Sequence, residues 1–130
     1  MSRDGNLRPL FARHMPRAHW VSVETWSTGQ GVPDTEYCFP GGRSGWIEFK
    51  AATGWKVNLS PHQVAWIERR VRAGGRAFIA VRKGNELFVY PGSEARILFL
   101  SGMKNLAASV SCASGPTRWD WEAIEKVLTD

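Results

Sequence analysis

The chain has 130 residues, the length of one domain that can bury a core without a disulfide or a structural metal. Apolar residues make up 43% of it, which excludes a disordered chain, and no apolar run approaches the ~18 residues of a membrane span. The net charge of +5 is concentrated in residues 1–84, where Lys and Arg exceed Asp and Glu. This basic excess indicates a polyanionic partner, with a solvated basic surface as the simpler alternative.

The sequence predicts both helices and strands, in a mixed order along the chain. A short helix over residues 7–14 is followed by three strands, a helix, two strands, a helix-like stretch and a last helix capped by Asp120. The predicted strands cover residues 19–26, 34–39, 45–51, 77–81 and 87–90, the helix-like stretch covers 93–100, and residues 101–116 fit no element. This order predicts a single α/β (α+β) domain with a central mixed β-sheet flanked by helices.

The helix after the third strand has a well-defined beginning. Ser60 is a good N-cap, Pro61 occupies the first helical position and Gln63 completes a capping box. Val64 and Ile67 lie on one apolar face of that helix.

The third strand carries charged side chains where a central strand is expected to be apolar. Alternation puts Ile47 and Phe49 on one face and Glu48 and Lys50 on the other. A buried carboxylate and ammonium are costly unless they are paired or bind a metal. The alternative is an amphipathic strand whose polar face is in water, where a Glu–Lys pair contributes little.

Asp34 opens the second predicted strand, and a meander brings this point near Glu48. Two carboxylates and a backbone carbonyl are hard oxygen ligands that suit Mg²⁺ or Mn²⁺. Lys50, on the same face as Glu48, would project to the same place, where it could orient the attacking water and offset charge on a phosphate.

The spacing of Asp34, thirteen intervening residues and then Glu48-Phe49-Lys50 resembles the active-site signature of the PD-(D/E)XK nucleases. The sequence GVPD…GWIEFKA…LSPHQVAWIERRVRAGGRAFIAVRKG is similar to phage and bacterial members of these nucleases near the VRR-NUC and Holliday junction resolvase groups. The resemblance covers about residues 20–90. It implies a restriction-endonuclease-like αβββαβ core over about residues 19–90 and leaves residues 91–130 as a C-terminal extension without a recognisable motif.

Carried over residue by residue, the resemblance implies that Asp34 and Glu48 hold Mg²⁺, for which Mn²⁺ would substitute. The backbone carbonyl of Phe49 would be a third ligand, and Lys50 would be the catalytic lysine. Gln63 matches a glutamine that several of these families place near the site. A capping box also explains Gln63, and both roles can coexist.

Many members of these families carry a further acidic residue on the first helix, but residues 7–14 contain none. Glu24 is the expected substitute as a catalytic residue, because the glycine-rich turn would place it beside Asp34. Glu36, on the face of Asp34, is a weaker candidate, and both have an alternative as exposed strand residues.

Basic residues around this region are candidate DNA-phosphate contacts: Arg43, Lys56, His62, Arg69, Arg70, Arg72 and Arg76. The four arginines near the end of the second helix have an alternative role, since cations there complement the helix dipole. Trp26, Trp46 and Trp55 could stack on bases, with core packing as the alternative.

The resulting hypothesis is a Mg²⁺-dependent DNA endonuclease that recognises branched DNA such as a four-way junction, with little sequence readout. A symmetric junction suits a two-fold homodimer. Without a signal peptide or zinc spacing for its two cysteines, the chain is expected to be cytoplasmic, possibly phage-encoded, with no membrane partner. The alternatives are a flap or single-strand nuclease, and a non-catalytic DNA-binding protein on the same fold.

Overall fold

The computed structural model of the protein describes residues 3–23 and 31–130. Its helices are α1 (Leu7–His14), α2 (Pro61–Arg72), α3 (Ala95–Ser101) and α4 (Trp121–Thr129). Its strands are β1 (His19–Ser22), β2 (Thr35–Phe39), β3 (Arg43–Ala52), β4 (Ala77–Lys83), β5 (Glu86–Pro91) and β6 (Val110–Cys112). Short 3-10 turns precede α3 and α4.

The six strands form one mixed sheet whose spatial order is the chain order, β1 to β6. Neighbouring strands are antiparallel except β3 and β4, which are parallel and are therefore joined by a crossover through α2. The predicted α/β class, the mixed sheet and the αβββαβ order are confirmed. Residues 24–26 of the first predicted strand lie outside the described residues.

Helices cover the sheet on both faces, which explains why β4 reads as a continuous apolar run. On one face, Phe11 of α1 and Ile124 of α4 pack in the same core as Ile47 and Phe49 of β3. On the other face, buried side chains of α2 and α3 pack against alternate residues of β4: Val64, Ile67 and Leu98 meet Ile79 and Val81.

The C-terminal forty residues, predicted as an extension, complete the sheet and contribute to both of its cores. β6 pairs with β5 at the sheet edge, where Val110 lies opposite Val89. The Tyr37 hydroxyl of β2 donates to the carbonyl of Leu128 in α4, and the Leu128 side chain is fully buried. This segment is therefore part of the domain rather than an appendage to it.

Among residues 3–23 and 31–130, no helix is both long enough and apolar enough to cross a membrane.

Candidate active site

The two predicted metal ligands face each other across β2 and β3. β2 pairs Thr35 with Ile47, so the next step of the same register places Asp34 opposite Glu48. Asp34 is held by its neighbours: its Oδ1 accepts a hydrogen bond from the Thr35 hydroxyl at 3.0 Å, and its Oδ2 lies 3.5 Å from the backbone nitrogen of Phe49. The N–H and carbonyl of a strand residue project to the same side, so the Phe49 carbonyl also faces the side of Asp34.

The N-terminal segment occupies the edge of β3 that β2 leaves open. Beyond the start of β2, the Ala51 N–H donates to the Arg3 carbonyl at 2.9 Å. The Gly5 carbonyl accepts from Arg82 Nη1 at 3.0 Å, and Gly5 has a φ of 63° that favours glycine. These bonds place the start of α1 over the carboxylate pair.

Glu48 is bound by a cation and an amide. Its Oε2 lies 3.4 Å from Lys50 Nζ and accepts a hydrogen bond from Gln63 Nε2 at 3.0 Å. The same Gln63 completes the predicted capping box, because its Oε1 accepts from the Ser60 N–H at 3.0 Å and its N–H donates to Ser60 Oγ at 3.1 Å. The predicted capping box is therefore confirmed, and the same side chain also donates a hydrogen bond to Glu48.

These groups line one cavity of about 400 Å³. Its walls are formed by Arg3, Asp4, Arg8, Asp34, Glu48, Phe49, Lys50 and Gln63. Three cationic and three acidic side chains thus meet in one place, and Glu48 is only 5% exposed. Removing charged groups such as Glu48 from water costs free energy. The arrangement therefore indicates a functional site rather than a contribution to stability.

Burial raises the pKa of Glu48 to about 7, and the negative charge of Asp34 adds to the rise while Lys50 opposes it. Burial also raises the pKa of Asp34, against the Thr35 hydroxyl, the Arg8 charge and the Phe49 N–H, which lower it. Burial therefore shifts both carboxyls towards their neutral forms when no further cation is present.

We expect the metal-free protein to lose stability as the pH rises from 4.5, the ordinary pKa of a glutamate, to about 7. In this window Glu48 ionises in the unfolded chain before it does so in the folded one, which costs up to about 3 kcal/mol. Glu48→Gln should remove that loss. Urea unfolding in EDTA, below and above the window, measures the difference between the two proteins.

The matched control for this pH effect is Glu122→Gln, since Glu122 is exposed on α4. This variant should follow the wild-type pH dependence. An unchanged pH dependence in Glu48→Gln would contradict the assignment of a raised pKa to Glu48.

Sequence reasoning missed three lining residues from the N-terminus, Arg3, Asp4 and Arg8. The Asp4 charge raises the pKa of Asp34, and the Arg8 charge lowers it, so both act on the carboxylate pair. Asp4 lies in the turn before α1, outside the helix on which the related families carry their acidic residue. Its position next to the helix is the signal in the sequence that points to it.

Asp4 does not complete a three-carboxylate centre. Its Oδ1 accepts a hydrogen bond from the Asn6 N–H at 3.0 Å, and its Oδ2 lies 3.9 Å from Arg8 Nη2. Among residues 3–23 and 31–130, no three His, Cys, Asp or Glu side chains are grouped so that they could hold a metal. The predicted ligand set therefore stays at the Asp34 and Glu48 carboxylates with the Phe49 carbonyl, and Asp4 is a third acidic residue of the lining. Glu24, the predicted acidic substitute, and Trp26 lie outside the described residues.

Two of the predicted phosphate contacts lie at the other end of β3. Arg43 begins that strand, five residues or about 16 Å from Glu48, and its Nε donates to the Pro40 carbonyl. Arg76 donates to the backbone carbonyls of Ser44, Thr129 and Asp130, which ties α4 to the sheet. The structure does not bring either arginine to the cavity.

The arginines at the end of α2 are also separated from the cavity, which lies at the beginning of that helix. Arg69, Arg70 and Arg72 are six to nine residues beyond Gln63, about 9–14 Å along the axis. The Arg70 guanidinium lies 4.6 Å from the Trp66 ring centroid and 5.5 Å from that of Trp46. Arg70 and Trp46 therefore have a packing role.

His62 and Lys56 are the predicted contacts nearest to the cavity. His62 is exposed in the first turn of α2, beside Gln63. Lys56 is exposed in the loop that follows β3 and lines a second cavity next to the first.

No protein-family model matches this chain, and no curated protein matches its sequence. The geometry of the cavity and the spacing of Asp34, Glu48 and Lys50 are therefore the observations that indicate a function.

Proposed function

We propose that the protein is a Mg²⁺-dependent DNA endonuclease that hydrolyses phosphodiester bonds at this cavity. One observation supports the proposal above all. Asp34, directly before β2, lies opposite Glu48 of β3, and Lys50 and Gln63 both contact Glu48 in the same cavity. A binding protein needs neither the buried carboxylates nor the lysine beside them, and carboxylates repel a polyanion.

The donor set fits a hard divalent cation. Glu48 is buried and Asp34 is partly buried, and the Asp34 charge raises the pKa of Glu48 further, so a dication between them would offset charge that Lys50 alone does not. Asp34, Glu48 and the Phe49 carbonyl would hold it, and oxygen ligands of this kind suit Mg²⁺ or Mn²⁺. When bound, such an ion supplies Lewis acidity and lowers the pKa of water.

The remaining groups position the reactants. The Lys50 ammonium lies 3.4 Å from Glu48 Oε2, where it can donate to an attacking water and to a phosphate oxygen. Gln63 holds Oε2 of Glu48 from the rigid first turn of α2, and Thr35 holds Oδ1 of Asp34. Hydrolysis adds water across one P–O bond and gives a phosphate monoester and a hydroxyl.

Arg3 and Arg8 provide the positive charge that a DNA backbone requires at the entrance of the cavity. Phosphate contacts carry no sequence information, so selection by DNA shape is the matching substrate preference. A four-way junction has two equivalent cleavage points, which fits a two-fold dimer of this chain with one cavity in each copy.

The test is cleavage of a substrate panel with Mg²⁺ and with Mn²⁺: a four-way junction, a flap, a single strand and a blunt duplex. We expect metal-dependent cleavage that is fastest on the junction, and a dimer in sedimentation analysis. Faster cleavage of the flap or single strand would favour the alternative nuclease class. DNA binding without cleavage under either metal would contradict the proposal and favour a non-catalytic DNA-binding protein.

A further inference from the structure

Trp55 is a large aromatic side chain that the fold holds in place without burying it. It is 47% exposed, in the loop between β3 and α2, whereas Val57 and Leu59 of the same loop are buried. Its ring packs in an edge-to-face arrangement with Phe88, at a distance of 6.4 Å between the ring centroids. Its exposure therefore leaves ring surface available for contact.

The backbone at Trp55 is fixed. Its carbonyl accepts a hydrogen bond from the Met103 N–H at 2.7 Å. Gly102, with a φ of 73°, packs so closely that a Cβ there would lie 2.5 Å from the Trp55 oxygen. Binding of a ligand to this ring would therefore cost little additional backbone conformational entropy.

One cation contacts the ring on the sheet face that carries Glu48 and Lys50, and a second is its neighbour in sequence. Lys83 Nζ lies 4.7 Å from the Trp55 ring centroid, and Lys56 is the exposed neighbour in sequence. Lys83 is also 3.9 Å from the exposed Glu86 carboxylate, a weak surface pair. The combination of a flat aromatic surface and ammonium groups matches a nucleotide, which has a π-face and a phosphate.

The position along the sheet links this patch to the active site. Lys50 pairs with Val81, and Ala52 pairs with Lys83, so Lys83 is two residues further along and one strand across. The backbones of Lys50 and Lys83 are therefore about 8 Å apart. This distance is close to the rise of two nucleotide steps along one strand of a duplex. A second cavity of about 470 Å³ is lined by residues 51–58, which directly follow Lys50 of the first cavity in the chain.

We infer that Trp55 is a stacking platform for an unpaired nucleobase about two nucleotides from the cleaved phosphodiester, with Lys56 and Lys83 binding the adjoining phosphates. The inference rests on the proposed function and narrows its substrate class to DNA with unpaired bases on one side of the cleavage point, such as an open branch or an overhang.

The test is fluorescence anisotropy of labelled DNA with the full chain in EDTA, which prevents cleavage. The probes are a short single strand, its blunt duplex and the same duplex with a single-stranded overhang. Trp55→Ala should weaken binding of the single strand and the overhang by about tenfold, the loss of one base–aromatic stack. Binding of the blunt duplex should be unchanged, and Trp55→Phe should restore most of the affinity.

Leu100→Ala is the matched control, since Leu100 is a large apolar residue that is 69% exposed and lies on α3. It should bind all three probes like the wild type. A second readout is indole fluorescence: single-stranded DNA should quench the wild type, and Trp55→Phe should lose that quenching while it still binds.

Two results would overturn the inference. Trp55→Ala could bind the single strand like the wild type, or it could lose the blunt duplex equally. In either case, DNA cleavage by the wild type would leave the proposed function standing. Failure of the wild type to bind any DNA would contradict both.

Discussion

Asp34→Asn and Glu48→Gln will each reduce Mg²⁺-dependent DNA cleavage by at least about a hundredfold, because each removes one of two charged oxygen ligands from the cavity. The fold should survive, since both changes replace a carboxylate with an amide of the same shape. DNA affinity in EDTA should hold or rise, because less negative charge faces the phosphates. Single-turnover cleavage and anisotropy on the same DNA measure the two effects.

The control for this pair is again Glu122→Gln, an exposed carboxylate on α4 away from the cavity lining. It should cleave at the wild-type rate. If Asp34→Asn or Glu48→Gln also keeps the wild-type rate in Mg²⁺, the active site is not in this cavity.

Gln63→Glu will separate the two contacts of Gln63. The new carboxylate can still accept from the Ser60 N–H, and a negative charge suits a helix N-terminus, so the cap should persist. Its other oxygen would stand where Gln63 Nε2 now donates to Glu48 Oε2 at 3.0 Å. Two carboxylates in contact repel, so we expect cleavage to fall by about tenfold or more while the melting temperature changes little.

Ser60→Ala isolates the cap from the site. It removes the hydroxyl that accepts from the Gln63 N–H but leaves the contact between Gln63 and Glu48. It should cost about 1 kcal/mol of stability and leave the cleavage rate per folded molecule near that of wild type. A fully active Gln63→Glu would show that the hydrogen bond to Glu48 has no part in the reaction.

Features governed by local physics could be predicted from the chain itself. The alternation that puts Glu48 and Lys50 on one face of β3 follows from the pleat of a strand. The start of α2 follows from a capping box within four residues. The approach of Asp34 to Glu48 follows from a meander, since antiparallel strands joined by a tight turn have only a few possible registers.

The rest depended on contacts between distant parts of the chain. Asp4 and Arg8 reach the cavity only because the N-terminal segment bonds to β3 at Ala51. The role of Arg76 follows from carbonyls more than thirty residues away, and no local signal separates a cation that binds backbone from one that binds phosphate.

The sequence by itself thus determined the element order apart from β6, and the residue types of the carboxylate pair with its lysine. Only the tertiary structure decided which cations surround that pair and which tryptophan is left exposed beside it. The physical reason is that periodicity and caps act over a few residues. The surroundings of a side chain, in contrast, are set by whichever segments the whole core brings together.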